Sequence, residues 1–94
     1  MYTAIEKIPG GKLVRITVDY DKKTNKLKNV IITGDFFAHP EKSIDEIQNI
    51  LKNKEFVEQK LEFIIKEYVE LNQVYLVGID PESIIRIIKK AIDK

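Results

Sequence analysis

Leu13-Val14-Arg15-Ile16-Thr17-Val18-Asp19-Tyr20 places Val14, Ile16, Val18 and Tyr20 in alternation with Leu13, Arg15, Thr17 and Asp19. A period of two is the pattern of a half-buried strand, because successive side chains leave the backbone on opposite sides. The next six residues, Asp21-Lys22-Lys23-Thr24-Asn25-Lys26, are polar and read as a hairpin loop, after which residues 27–33 predict a second strand ended by Gly34. Leu27 and Val30 are three apart and share a face only if the strand bulges between them or starts late. Upstream, residues 3–8 predict a further strand running into Pro9-Gly10-Gly11, where a fixed proline φ and two glycines suit a tight turn. The first third of the chain therefore reads as an antiparallel β-meander of two or three strands.

Beyond Gly34 the apolar spacing lengthens to that of helices. Ile44, Ile47, Ile50 and Leu51 predict an amphipathic helix that starts either with Pro40 at its first position or with a Ser43/Glu46 capping box. Residues 55–71 form the longest helical pattern, with Val57, Leu61, Ile64, Tyr68 and Leu71 on one stripe, widened by Phe56, Phe63 and Ile65, and with Asn72 as its stop. Residues 74–77 are short and extended. Asp80-Pro81-Glu82 then supplies an N-cap, a first-turn proline and an acidic first turn. The helix that follows carries Ile84, Ile85, Ile87, Ile88 and Ile92 on more than one face and should be largely buried, with Lys89, Lys90 and Lys94 near its negative end. The expected class is α+β, with about three helices packed on one face of a small antiparallel sheet.

At 94 residues and 10.9 kDa the chain buries about 65% of its unfolded surface, enough for one domain spanning 1–94. Charged residues are 33% of the sequence, with 16 basic against 15 acidic, so the whole-chain charge of +1 argues against a dedicated nucleic-acid or anionic-membrane binder. The charge is unevenly divided: residues 1–34 hold 7 basic and 3 acidic groups, residues 35–94 hold 9 and 12. Absence of cysteine removes disulfides, thiol nucleophiles, iron-sulfur ligation and thiolate zinc sites. The amino terminus has no apolar leader core and no later uncharged run reaches the ~18 residues of a membrane span, so a cytoplasmic location is expected.

Few residues suggest chemistry. His39, near Asp35 and Glu41, is the single histidine; it could take part in acid–base work, but a lone histidine before a helix more often caps or faces water, and the scattered carboxylates have no metal-ligand spacing. Lys22, Lys23, Lys26 and Lys28, beside Tyr20, could meet phosphate with a stacking ring, although lysines at a hairpin tip ordinarily serve solubility. Pro9-Gly10-Gly11-Lys12 precedes a strand instead of a helix and lacks P-loop spacing. In Gly34-Asp35-Phe36-Phe37 the two rings of an extended chain point to opposite sides, so either helices cover both or one ring is left for a partner.

Lys7-Ile8-Pro9-Gly10-Gly11-Lys12-Leu13-Val14-Arg15, then Leu27-Lys28-Asn29-Val30-Ile31-Ile32-Thr33-Gly34-Asp35-Phe36-Phe37, then His39-Pro40-Glu41 and Ile44, together resemble the carboxy-terminal accessory domain of lipoate-protein ligases. The resemblance covers residues 5–52 most strongly. Gly78-Ile79-Asp80-Pro81-Glu82 also fits, and residues 53–77 match in helical character. It implies a fold similar to the sulfur-acceptor and iron-sulfur scaffold domains, without their cysteines. It also implies a non-catalytic small subunit, of the free-standing kind known in archaea, paired in a heterodimer with a large catalytic subunit. The complex would use ATP, magnesium and lipoate to make lipoyl-adenylate before transfer to a lipoyl-domain acceptor, with none of these bound by this chain alone. Gly10, Gly11, Lys12, Gly34, Asp35, Phe36 and Phe37 are then expected at the partner interface or completing the partner's site. The alternative is a small protein-interaction or nucleic-acid module using the basic hairpin.

Overall fold

Strands β1 (Tyr2–Ile8), β2 (Lys12–Asp21) and β3 (Lys26–Gly34) form the expected antiparallel meander. They are followed by β4 (Phe37–His39), α1 (Ser43–Leu51), β5 (Lys54–Glu55), α2 (Glu58–Leu71), β6 (Tyr75–Val77) and α3 (Pro81–Ile92). This computed structural model describes residues 1–10 and 12–93; Gly11 and Lys94 lie outside the described residues. The main sheet has the order β1-β2-β3-β5, and β4 pairs with β6 in a separate ribbon. The meander is thus extended beyond the two or three strands expected by β5 alone, and the separate ribbon is added beside it, both made of pieces too short to have a period of their own.

The register explains the awkward spacing in β3. Asp19 faces Asn29 but Tyr20 faces Leu27, so Lys28 is an extra residue and the strand bulges there. The bulge resets the alternation and lets both Leu27 and Val30 enter the core. Ala4, Ile16 and Ile32 lie in one row across the three strands, and with Ile8, Val14 and Val18 they make one buried face. The helices pack on that face: α3 against β1 and β2, α1 against β3, and α2 across α3 and α1. Ile84, Ile85, Ile87 and Ile88 of α3 are all buried, each worth about 1.5–3 kcal/mol in removed apolar surface. Asp80 caps this helix as expected, its side chain accepting from the Ser83 amide at 2.7 Å.

Two helix readings need correction. α1 begins at Ser43, after a turn in which the Ser43 amide donates to the Pro40 carbonyl at 3.0 Å. Lys42 is its N-cap and makes no side-chain cap bond, so neither Pro40 at the first position nor a Ser43 capping box starts the helix; Ser43 is inside it and buried. α2 begins at Glu58, because Lys54 and Glu55 are drawn into the sheet opposite Leu27 and Lys26. Its buried line is Leu61 and Ile65, flanked by half-buried Ile64, Tyr68 and Val69, whereas Val57, Phe63 and Leu71 are exposed. Asn72 does end it, as expected, with its side-chain amide donating to the Tyr68 carbonyl.

The sheet edges are tied to helices. On β3 the Ile32 amide donates to the Gln48 side chain of α1 at 2.7 Å, and on β1 Lys90 of α3 donates to the Ile5 carbonyl at 3.3 Å. Glu6 of β1 accepts from the Arg86 guanidinium, with Nε at 3.0 Å. That hydrogen bond, with the charges of Arg86 and Lys90 and against some desolvation, holds the Glu6 carboxyl below its usual 4.5. A depressed folded pKa means the stabilisation is complete above the unfolded value and is lost as pH falls through the folded one. Glu6→Gln should therefore flatten the acid limb: urea melts at about pH 5 and about pH 3 should differ less than in the wild type, by ~1 kcal/mol at most for a pair with Arg86 half exposed. Identical pH slopes would reject the pair as a source of acid sensitivity.

Candidate functional site

The bend after β3 is built on one glycine. Gly34 has φ +151°, and a Cβ there would lie 2.2 Å from the Leu13 carbonyl oxygen. The same oxygen accepts from the Asp35 amide at 2.9 Å. The chain is thereby folded tightly over the start of β2 and leaves in a new direction, into β4. The two phenylalanines separate as the steric argument requires: Phe36 is half-buried against the core, and Phe37 is 54% exposed.

The ribbon carries Phe37 outward. Phe37 pairs with Val77, Ala38 with Leu76 and His39 with Tyr75. Ala38 and Leu76 turn inward, which leaves Phe37, Val77, His39 and Tyr75 on the outer face, all exposed. Tyr75 and Val77 escape sequence reasoning because only their pairing with β4 puts them beside Phe37. The short extended piece ahead of Gly78 was the available signal.

Lys12 reaches the same corner. Gly78 has φ +82°, and a Cβ on it would come within 2.7 Å of Lys12 Cγ and 3.5 Å of Phe36 Cα. The aliphatic stem of Lys12 therefore lies over a position that must be glycine, beside the Phe36 backbone. Gly10 stands exposed in the turn just before it. Gly10, Lys12, Gly34, Asp35, Phe36 and Phe37 are thus neighbours at one end of the sheet, and Gly11 falls outside the described residues.

A shallow groove of about 430 Å³ opens at this corner, lined by Thr33, Phe36 and Phe37 on one side and Glu41 and Ile44 on the other. It is mostly apolar with one carboxylate, which suits an inserted side chain better than proton transfer. Among the described residues no three His, Asp or Glu side chains gather to hold a metal ion, and no helix is long and apolar enough to cross a membrane. His39 pairs with Tyr75 on the ribbon, away from the groove lining that contains Glu41.

The basic hairpin lies at the other end of the meander, roughly 30 Å away along β2. Its residues are engaged locally. Lys23 donates its amide to Asp21 at 2.9 Å, and this bond chiefly keeps the Asp21 carboxyl below its usual range. The Tyr20 hydroxyl donates to Asn25 at 2.5 Å and its ring meets Tyr2 edge-on at 6.1 Å. Asn25 in turn donates to the Phe56 carbonyl at 3.0 Å. Tyr20 is a strut of the loop, so the stacking ring that a nucleic-acid reading requires is already committed.

Comparison with known proteins places the whole chain. The family described as bacterial lipoate protein ligase C-terminus matches residues 1–88. A lipoate-protein ligase A subunit 2 from Thermoplasma acidophilum is 33% identical over 89 residues, covering 95% of this chain and 88% of that protein. A solved structure of an archaeal lipoylation system from Thermoplasma acidophilum, a bi-partite lipoate protein ligase and its E2 lipoyl domain, contains a chain of the same fold. It superposes with a TM-score of 0.77 at 32% identity, covering 93% of this chain and 92% of that one. On a match that spans all the strands and the first two-thirds of α3, the chain belongs to the lipoate-protein ligase C-terminal family.

Proposed function

We propose that this chain is the accessory subunit of a two-component lipoate-protein ligase. As one domain over residues 1–94, it pairs in the cytoplasm with a large catalytic subunit and is needed for activation of lipoate to lipoyl-adenylate. The observation that carries this reading is the full-length likeness to subunit 2 of a bipartite ligase, joined to a corner built of the residues that define the resemblance. ATP, magnesium and lipoate are used by the complex and held by the large subunit, and the acceptor is a lysine of a lipoyl domain. The one-sided packing of helices on a small sheet is also the arrangement of the iron-sulfur scaffold class, to which the fold is proposed to be akin.

Gly10, Gly11, Lys12, Gly34, Asp35, Phe36 and Phe37 are proposed to contact the partner or complete its site, with Tyr75 and Val77 added from the ribbon. Docking would order the partner's loops and exclude water around the adenylation chemistry, where electrostatic stabilisation is strongest. Pyrophosphate release tests this. The chain alone should release none from ATP and lipoate, the large subunit alone should be slow, and the mixture should be faster by about a hundredfold, the scale of losing preorganised donors. Transfer from preformed lipoyl-adenylate should need the chain far less, since the mixed anhydride already exists. In the same assay Phe37→Ala should raise the concentration of chain needed for half-maximal rate about tenfold with its thermal melt nearly unchanged, whereas Phe36→Ala should lower the melt. A large subunit that activates lipoate at full rate unaided, and does not bind this chain, would end the proposal.

A further inference from the structure

The helices occupy one face of the sheet, and among the described residues no element covers the other. On that open face Ile5, Leu13 and Ile31 are 42%, 46% and 42% exposed. Ile31 faces Thr17 across the ladder, Ile5 faces Arg15, and Leu13 faces Lys7, so the three apolar side chains lie in adjacent rows. Large apolar groups lined up on a flat β surface are what a covering partner requires, and the strand alternation makes the surface a designed one: shifting any strand by one residue would bury them instead.

This face is continuous with the corner described above. Leu13 presents its side chain to the face while its carbonyl anchors the Gly34–Asp35 bend. Thr33 faces Arg15 across the ladder and also lines the Phe37 groove. The corner alone is too small for an obligate partner. A specific interface covers roughly 800 Å² on each side, and an aromatic ring supplies about 150–250 Å². Phe37, Tyr75 and Val77 reach on the order of half the requirement, and the adjoining three-strand face supplies the rest. Continuity of the face with the corner, through Leu13 and Thr33, makes the large subunit its occupant. Lys7 and Arg15 lie nearest the corner and have no ion-pair partner among the described residues, whereas the carboxylates of the same face, Asp19 and Asp21, lie toward the hairpin end. Cations without partners at the corner end call for carboxylates on the surface that covers them.

We infer that the open face of β1, β2 and β3 is the main docking surface for the large ligase subunit, which meets it with an apolar patch bordered by carboxylates. The inference rests on the accessory-subunit reading and says where that partner sits. Isothermal titration of the full chain with the large subunit of the same organism tests it, using Ile31→Lys and Arg15→Glu. Each should weaken Kd about tenfold or more while the thermal melt stays near wild type, and added salt should reduce the effect of Arg15→Glu. Arg15 is exposed in the free chain, so its variant keeps the test open should Ile31→Lys fold poorly. Wild-type affinity in both variants would overturn the inference and leave the accessory reading standing. A wild-type chain that does not bind the large subunit would overturn both. Sedimentation is the control for self-association: a dimer of the chain alone that Ile31→Lys dissolves, with binding to the large subunit unchanged, would assign the face to a second copy and overturn the inference.

Discussion

Ile88→Ala should cost the protein about 2–5 kcal/mol, a large share of the ~5–15 kcal/mol that holds a domain of this size together. Ile88 is fully buried in α3, within the core between the sheet and α2. Removing its outer atoms leaves a cavity among isoleucines whose branched side chains are stiff and cannot swing in to fill it. With a urea slope near ~1 kcal/mol per molar, the midpoint should fall by roughly 2 M or more. Ile64→Ala is the contrast, because Ile64 is only half-buried on α2 and should cost about half as much or less. Equal losses for the two, or a loss under about 1 kcal/mol for Ile88→Ala, would mean that the packing of α2 on α3 is wrongly described.

Gly34→Ala should destabilise the fold by about 2–4 kcal/mol and weaken association with the large subunit at the same time. The new Cβ would sit 2.2 Å from a backbone oxygen of β2, which is not a flexible group that can step aside, and φ +151° is strained for any L side chain. Relief requires the bend to open, which breaks the Asp35 bond to Leu13 and carries Phe37 away from Val77. Gly10→Ala is the control, since a Cβ there meets nothing within 4 Å and its cost is conformational only. Urea melts and titration with the large subunit measure the two effects. A Gly34→Ala protein as stable as wild type would show that the bend is loose, and the corner could not then be a rigid element of the site.

Much of this was legible in the residues. The period of two over residues 13–20 and the Asp80-Pro81-Glu82 cap each depend on chemistry within a few positions, and each element stands where expected. The bulge was half legible: Leu27 and Val30 demanded some irregularity, but only the register with β2 located it at Lys28. The rotation of α2 was not legible. Val57, Leu61, Ile64, Tyr68 and Leu71 make as good a stripe as Leu61, Ile65 and their neighbours, and a helix in isolation has no reason to prefer one. Seating against α3 and α1 chose the second, leaving Leu71 and Phe63 exposed.

The candidate site divides in the same way. That Phe36 and Phe37 must part was determined by the extended chain itself, since neighbouring side chains leave on opposite sides. Which of them stays outside was decided by β6, which arrives from almost forty residues downstream to pair with β4 and turn Phe37 outward beside Val77. The resemblance had joined Gly10, Lys12 and residues 34–37 as a motif; only the fold of β3 over the start of β2, and the placing of Gly78 under the Lys12 stem, made them a surface. Sequence by itself determined the three long strands, the three helices, the Asp80 cap and the family, because those rest on local backbone preference and on residue identity. Tertiary structure decided faces and neighbours, because burial is a property of what packs against an element and no single segment contains its own partner.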